Sequence, residues 1–250
     1  METTRNVALA FAALALGSTA TARQTRPLRI LPLGDSITQG GNGTRPEFTW
    51  RYPLYYMLLK EKYVVDFIGS MKTGLNPAFK WPARDGVKFD LDHEGHYGWK
   101  TAPCRDNLAK WMTKYPGPPD VVLIHLGTND QGSKNFPKDV VKPLADMITM
   151  FRKKNPRVIV FVGHLNFTGG AAAKMRPLVE AMAKKMSTRV SPVVTVHHYK
   201  GFNANPKHPQ TDTFDWAHPN ERGQQKMAEA WFKAMKPYLD ALLGRRPRRR

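Results

Sequence analysis

The sequence holds one cysteine, Cys104, so no disulfide can form within the chain. A small disulfide-stapled scaffold is thereby excluded, and the fold must rest on its hydrophobic core. Nothing adjacent to Cys104 would activate a thiol, and it reads as a small half-buried residue. Long apolar runs are also lacking. Val7–Leu16 is almost wholly apolar but too short to span a bilayer, so no transmembrane segment is expected. Ala20-Thr21-Ala22 follows it as a small-residue cleavage pattern. Residues 1–22 therefore read as a secretory signal peptide, and the protein is expected to be secreted or periplasmic. The alternative reading of this stretch is a short helical or disordered N-terminus. Acidic residues are scarce: 20 Asp and Glu stand against 39 Lys and Arg, a formal net charge of +19. Such a surface favours anionic polysaccharides or anionic surfaces as partners. No basic stretch interleaved with aromatics is present, so a specific nucleic-acid module is not expected. Five arginines crowd residues 245–250, which read as a disordered tail. There is no internal repeat, and the length suits one domain over residues 23–244.

What is present is an alternation of short apolar runs and helix-like segments. Leu28–Leu33, Tyr63–Gly69, Val121–Leu126, Val158–Gly163 and Val193–His197 are continuous and rich in β-branched residues. That is the pattern of parallel strands buried on both faces. Between them, helical spacing marks 51–62, 105–115, 138–155, 171–189 and 219–243. Strand–helix alternation predicts an α/β protein, a three-layer α/β/α sandwich around one parallel sheet. Two aperiodic stretches rich in Gly, Pro and aromatics, 71–99 and 198–214, read as functional loops.

Four short blocks could carry chemistry. The first apolar run ends in Gly34-Asp35-Ser36, which would put Ser36 at the carboxyl edge of the sheet, where open α/β folds bind ligands. Ser36 is a nucleophile if a base reaches it; Ser36-x-x-Gln39 also fits a helix capping box. Asp215-x-x-His218 opens the last helix. Its carboxylate can orient an imidazole whose other nitrogen faces outward, or it can simply cap a turn. Gly127-Thr128-Asn129-Asp130 follows a strand; Asn129 can donate to a developing oxyanion or act as an ordinary turn residue. In His93-Glu94-Gly95-His96-Tyr97-Gly98-Trp99 a glycine would let the backbone approach a ligand. His93 and His96 stand at i, i+3 in a glycine-broken segment, which does not fit a zincin helix, and no metal site is expected there. Gly-x-Ser-x-Gly is absent, which argues against an α/β-hydrolase nucleophile elbow. Tyr97, Trp99, Trp81 and Trp216 lie in or near these blocks and are candidate sugar-stacking residues, with packing aromatics as the alternative.

In this order and spacing the blocks resemble those of the SGNH (GDSL-type) hydrolases, over essentially the whole chain after residue 22. The carbohydrate-esterase, acetylxylan-esterase-like branch is the most similar, through the middle block and through Arg51-Tyr52-Pro53-Leu54 and Val65-Asp66-Phe67-Ile68-Gly69-Ser70. Tyr97 stands where serine is common. The resemblance implies a flavodoxin-like five-stranded sheet of order 2-1-3-4-5 and no metal or organic cofactor. It implies Ser36 as nucleophile, His218 as base and Asp215 as its orienter. The Ser36 and Gly98 backbone N–H groups and the Asn129 amide would form the oxyanion hole. The expected reaction is hydrolysis of short acyl esters, chiefly acetyl, on a small molecule or glycan through an acyl-enzyme. A lipid-directed esterase and a non-catalytic glycan- or polyanion-binding module are the alternatives.

Overall fold

The computed structural model describes residues 26–41 and 48–245. The expected signal peptide, residues 1–22, lies outside the described residues, as do residues 246–250 of the expected tail. Arg245 itself is packed: its guanidinium lies 4.5 Å from the Tyr63 ring centroid and donates to the carbonyls of Glu61 and Lys62.

Strand β1 (Leu28–Gly34) lies inside the sheet, second from its edge. It pairs in parallel with β2 (Val65–Phe67) on one edge and β4 (Val121–His125) on the other, and β5 (Ile159–His164) and β6 (Val193–His197) extend the sheet beyond β4. A two-residue strand, β3 (Glu94–Gly95), pairs with Leu33 and Gly34. Since β4 occupies the opposite edge, β3 takes the place along β1 that β2 vacates. The order is β2-β1-β4-β5-β6, which is the expected 2-1-3-4-5 once β3 is left uncounted.

The continuous apolar strands feed two cores because successive side chains point to opposite faces. Leu31, Leu33, Val122, Ile124, Val160 and Val162 face α3 (Thr101–Met112), α4 (Lys142–Lys154) and α5 (Gly170–Met186). Ile30, Val121, Leu123, Ile159 and Phe161 face α2 (Arg51–Lys60) and α6 (Glu221–Leu242). The helices on opposite sides of one sheet make the expected sandwich. Trp50 and Trp231, both fully buried, pack at 5.5 Å where α2 and α6 meet. Cys104 is buried, and burial pushes its thiol well above the ordinary range, consistent with a packing residue.

The four-residue helix α1 (Ser36–Gln39) follows β1 directly. Its N-cap is Asp35, whose Oδ1 accepts from the Ile37 N–H at 3.0 Å, so the capping-box reading that made Ser36 the cap is incorrect. At its other end Arg51, buried, donates to the carbonyls of Thr38 at 2.8 Å and Gln39 at 3.1 Å, and to Leu91 at 3.0 Å. Gly95 lies against the same helix. A Cβ there would collide with the Gln39 backbone nitrogen and come within 2.7 Å of the Gln39 Cα. Backbone cannot swing aside as a flexible side chain does. Gly95→Ala should therefore cost about 1–3 kcal/mol of stability, measured by chemical denaturation; a loss below roughly 0.5 kcal/mol would show that α1 has slack against β3.

Candidate active site

Asp35 ends β1 and Ser36 opens α1, which places Ser36 at the carboxyl edge of that strand. The Ser36 Oγ lies 3.0 Å from His218 Nε2, although 182 residues separate them. The other ring nitrogen, Nδ1, lies 2.8 Å from Asp215 Oδ2. Asp215 Oδ1 also accepts from the backbone N–H groups of Ala217 at 2.6 Å and His218 at 2.7 Å. Burial raises the Asp215 carboxyl, but the His218 and Ala217 donors outweigh it and hold the group below its ordinary range. A charged Asp215 accepts a hydrogen bond from Nδ1–H and so keeps the proton on that nitrogen, which leaves Nε2 with its lone pair toward Ser36.

The loop bearing Asp215 and His218 is tied down on both sides. Thr213 Oγ1 lies 2.6 Å from the Asp215 carbonyl and 2.8 Å from that of His218. Asn220 caps α6 by accepting from the Gly223 N–H at 3.0 Å. Asp212 is fully buried and meets Arg222 at 2.7 Å and Lys226 at 2.6 Å, both on α6, and accepts from the Asn203 N–H at 2.7 Å. Here again burial raises the carboxyl and the donors from Asn203, Lys226 and Arg222 more than reverse it.

Gly98 and Asn129 come to the same sheet edge through register. Gly34 of β1 pairs with Gly95 of β3 on one side and with His125 of β4 on the other, so the segments after all three strands emerge side by side. Gly98 has φ +75°, a conformation open to glycine and strained for other residues. The Asn129 amide donates to the Trp99 carbonyl at 2.9 Å, which uses one of its two N–H groups. The segment carrying Gly98 is braced by Glu94, fully buried. Its oxygens accept from the Ser70 hydroxyl, the Ser70 N–H and the Tyr115 hydroxyl, and lie 2.6 Å from His96 Nε2. His93 is engaged with the Gly95 N–H and the Thr73 carbonyl, so His93, Glu94 and His96 serve local hydrogen bonds.

Among the four candidate aromatics, Tyr97 and Trp216 stand near the His218 loop and two do not. Tyr97 is 47% exposed and its ring lies parallel to His218, with centroids 5.7 Å apart. Its N–H donates to Gln39 Oε1 at 2.8 Å, a link between the middle block and α1. Trp216, 59% exposed, stacks on Phe167. Trp99, half-buried, packs against His96 and Trp111 at the edge of the core. Trp81, also half-buried, packs with Tyr52, Phe79 and Phe89. A small hollow of about 10 Å³ beside Ser36 and His218 is lined by Ile37, Phe48, Phe214 and Gln224. Trp81 lines a larger one of about 220 Å³, which shares Phe48 and Gln224 as a wall. The sequence offered no specific signal for Asp212, and although Gln39, Arg51 and Glu94 stand in stretches it marked, their main partners Tyr97, Thr38, Leu91, Ser70 and Tyr115 lie too far along the chain to be read from it.

Asp212 supplies a test of how this loop is held. Its folded-state carboxyl lies below the ordinary 3.8, so its stabilisation is present above about pH 4 and withdrawn as pH falls through the folded value. Asp212→Asn should cost roughly 2 kcal/mol at pH 7 and flatten the fall of Tm below pH 4. An unchanged acid limb would mean the Asp212–Arg222–Lys226 cluster contributes nothing.

Residues 33–226 match the GDSL-like Lipase/Acylhydrolase family. A curated relative, a multidomain esterase of Ruminococcus flavefaciens, is 26% identical over 240 residues, covering 87% of this chain. The match spans 29% of that relative's own length. A crystal structure of a carbohydrate esterase family 3 protein from Talaromyces cellulolyticus is 26% identical, with TM-score 0.70 over 86% of this chain and 99% of that one. A family 3 carbohydrate esterase of Clostridium thermocellum is also 26% identical, with TM-score 0.68 over 88% of this chain and 100% of that one. A mutant acetyl esterase crystallised with an acetate ion is 25% identical, with TM-score 0.70 over 86% of this chain and 99% of that one. With the family match running from the last residues of β1 into α6, the chain belongs to the GDSL-like lipase/acylhydrolase family.

Proposed function

We propose that this protein is a serine esterase that removes short acyl groups, chiefly acetyl, from carbohydrate. The observation that carries the reading is the relay of Ser36 Oγ, His218 and Asp215 at 3.0 and 2.8 Å. His218 Nε2 takes the Ser36 proton as Oγ attacks the ester carbonyl. Charge develops on the carbonyl oxygen, and the N–H groups of Ser36 and Gly98 and the remaining N–H of Asn129 receive it. His218 then protonates the departing sugar alcohol, leaving an acyl-Ser36. Water attacks that ester with His218 again as base, and Ser36 leaves with the proton returned. Asp215 stays ionised throughout and stabilises the imidazolium that forms twice in the cycle.

Two features favour a small acyl group on a sugar. The hollow beside Ser36 is small, about 10 Å³, far below the usual range for a drug-sized ligand. Tyr97 and Trp216 present exposed ring faces at the His218 loop, as sugar stacking needs. The acetyl and carbohydrate esterases to which the chain is similar point the same way. The reading includes export by the N-terminal segment and retention on anionic polysaccharide by the net charge of +19.

Ser36→Ala should lower turnover of a chromogenic acetate ester by at least about 10⁴-fold with the circular dichroism spectrum unchanged; retained activity would remove Ser36 from the mechanism. Asn129→Ala should lower kcat by on the order of 10²–10³, and a loss below about threefold would leave Asn129 as a turn residue. On a panel of nitrophenyl esters and acetylated glycans the wild type should prefer acetate, whereas a preference for long acyl chains would favour a lipid substrate instead.

A further inference from the structure

Four of the eight histidines, at positions 125, 164, 197 and 198, lie at or just past the carboxyl ends of β4, β5 and β6, and the esterase reaction uses none of them. Two of the four form a group with an acid. His164 and His197 are register partners at the ends of neighbouring parallel strands. Both side chains therefore leave the same face of the sheet, the face that α5 covers. Their rings lie nearly parallel, 5.2 Å between centroids at 19°. Glu180 reaches them from α5. Its Oε1 lies 3.2 Å from His164 Nε2 and 4.0 Å from His197 Nδ1. One ligand atom from each of the three residues falls within 4.8 Å of both others. The two ring nitrogens that face the carboxylate are buried and neither makes a hydrogen bond. A buried polar atom left without a partner costs about 1–3 kcal/mol, so two adjacent ones beside a carboxylate call for a common acceptor of their lone pairs.

We propose that His164, His197 and Glu180 form a binding site for a first-row transition-metal dication, with Zn²⁺ the principal candidate. Two imidazoles and one carboxylate are a borderline donor set that suits zinc and its neighbours. Calcium and magnesium require more oxygen ligands than this group supplies. Bonds of about 2.0–2.1 Å in tetrahedral geometry put ligand atoms roughly 3.3 Å apart. The His164–Glu180 separation already meets that, and the side chain of His197, 35% exposed and 4.0 Å from Glu180 Oε1, must swing in to complete the set. Two cations oppose the metal. Arg176 lies one turn earlier on α5 and Lys200 follows β6, and both act on His197 electrostatically. Arg176 is occupied elsewhere, stacked 3.7 Å over the Tyr199 ring and donating to the Phe167 carbonyl at 3.0 Å. The ion would cross-link β5, β6 and α5. It lies two strands along the sheet from Ser36, so its role is structural.

Full-length protein, stripped with a chelator and then dialysed free of it, should bind Zn²⁺ one to one by calorimetry and gain several degrees in Tm. Co²⁺ should give the intense visible bands of a tetrahedral site. His197→Ala and Glu180→Gln should each weaken Zn²⁺ binding at least tenfold and abolish the Co²⁺ bands, with melts of the metal-free proteins establishing that both are folded. If one fails to fold, His197→Gln replaces it. No binding by the wild type, or undiminished binding and bands in the folded variants, overturns the proposal.

Discussion

Ser36 meets His218 because a four-residue helix is pressed between two strand ends with no side chain in the way. Gly95 allows β3 to lie against the Gln39 backbone, and Arg51 ties off the free carbonyls of the helix from the other side. The Gln39 side chain then reaches Tyr97 and sets the segment that presents Gly98. One tight contact thus positions both the serine and an adjacent backbone donor. The imidazole arrives by a separate route, from a loop clamped to α6 by the buried Asp212 and capped by Asn220. The site is a meeting of two independently braced segments. That is why so many of its supporting groups are buried ions rather than apolar side chains. Glu94 and Asp212 each hold several donors, and Arg51 holds three backbone carbonyls, which an apolar residue cannot do.

The parallel sheet was legible because strands buried on both faces need apolar residues at every position, and the runs at 28, 121, 158 and 193 have them. The helices were legible as spacing, and the starts of α2, α5 and α6 to within two residues, but those of α3 and α4 were not. Helix α3 begins at Thr101 behind Lys100, which has no capping side chain, four residues before the expected start. The segment before α4 is a π-helical turn, Pro137–Val141, within what reads as one continuous helix. Strand β3 has two residues, too few for any periodicity to register. Its register with β1 nevertheless brings the Gly98 segment to the sheet edge.

In the site, residues that do local work could be read and residues that act across the chain could not. Asp215 and His218 declare themselves by a three-residue spacing on one turn. Arg51, Glu94 and Asp212 look like ordinary surface charges until the fold buries them. Trp81 and Trp99 show the converse limit, since aromatic character states that a ring will be buried or stacked and says nothing about against what. His164, His197 and Glu180 lie far apart in sequence and become neighbours through strand register and the helix that covers it.

The 182-residue separation between Ser36 and His218 also fixes when the proposed catalytic pair can exist. During synthesis β1, β4 and β5 emerge and can pair while His218 has yet to be made. The loop that carries it is secured through Arg222 and Lys226, which come later still. A chain halted before residue 218 holds Ser36 with no imidazole beside it, and one halted before Arg222 lacks the clamp that seats the His218 loop. On the proposed reading, ester turnover therefore reports that α6 has docked against α2, and not merely that the sheet has formed.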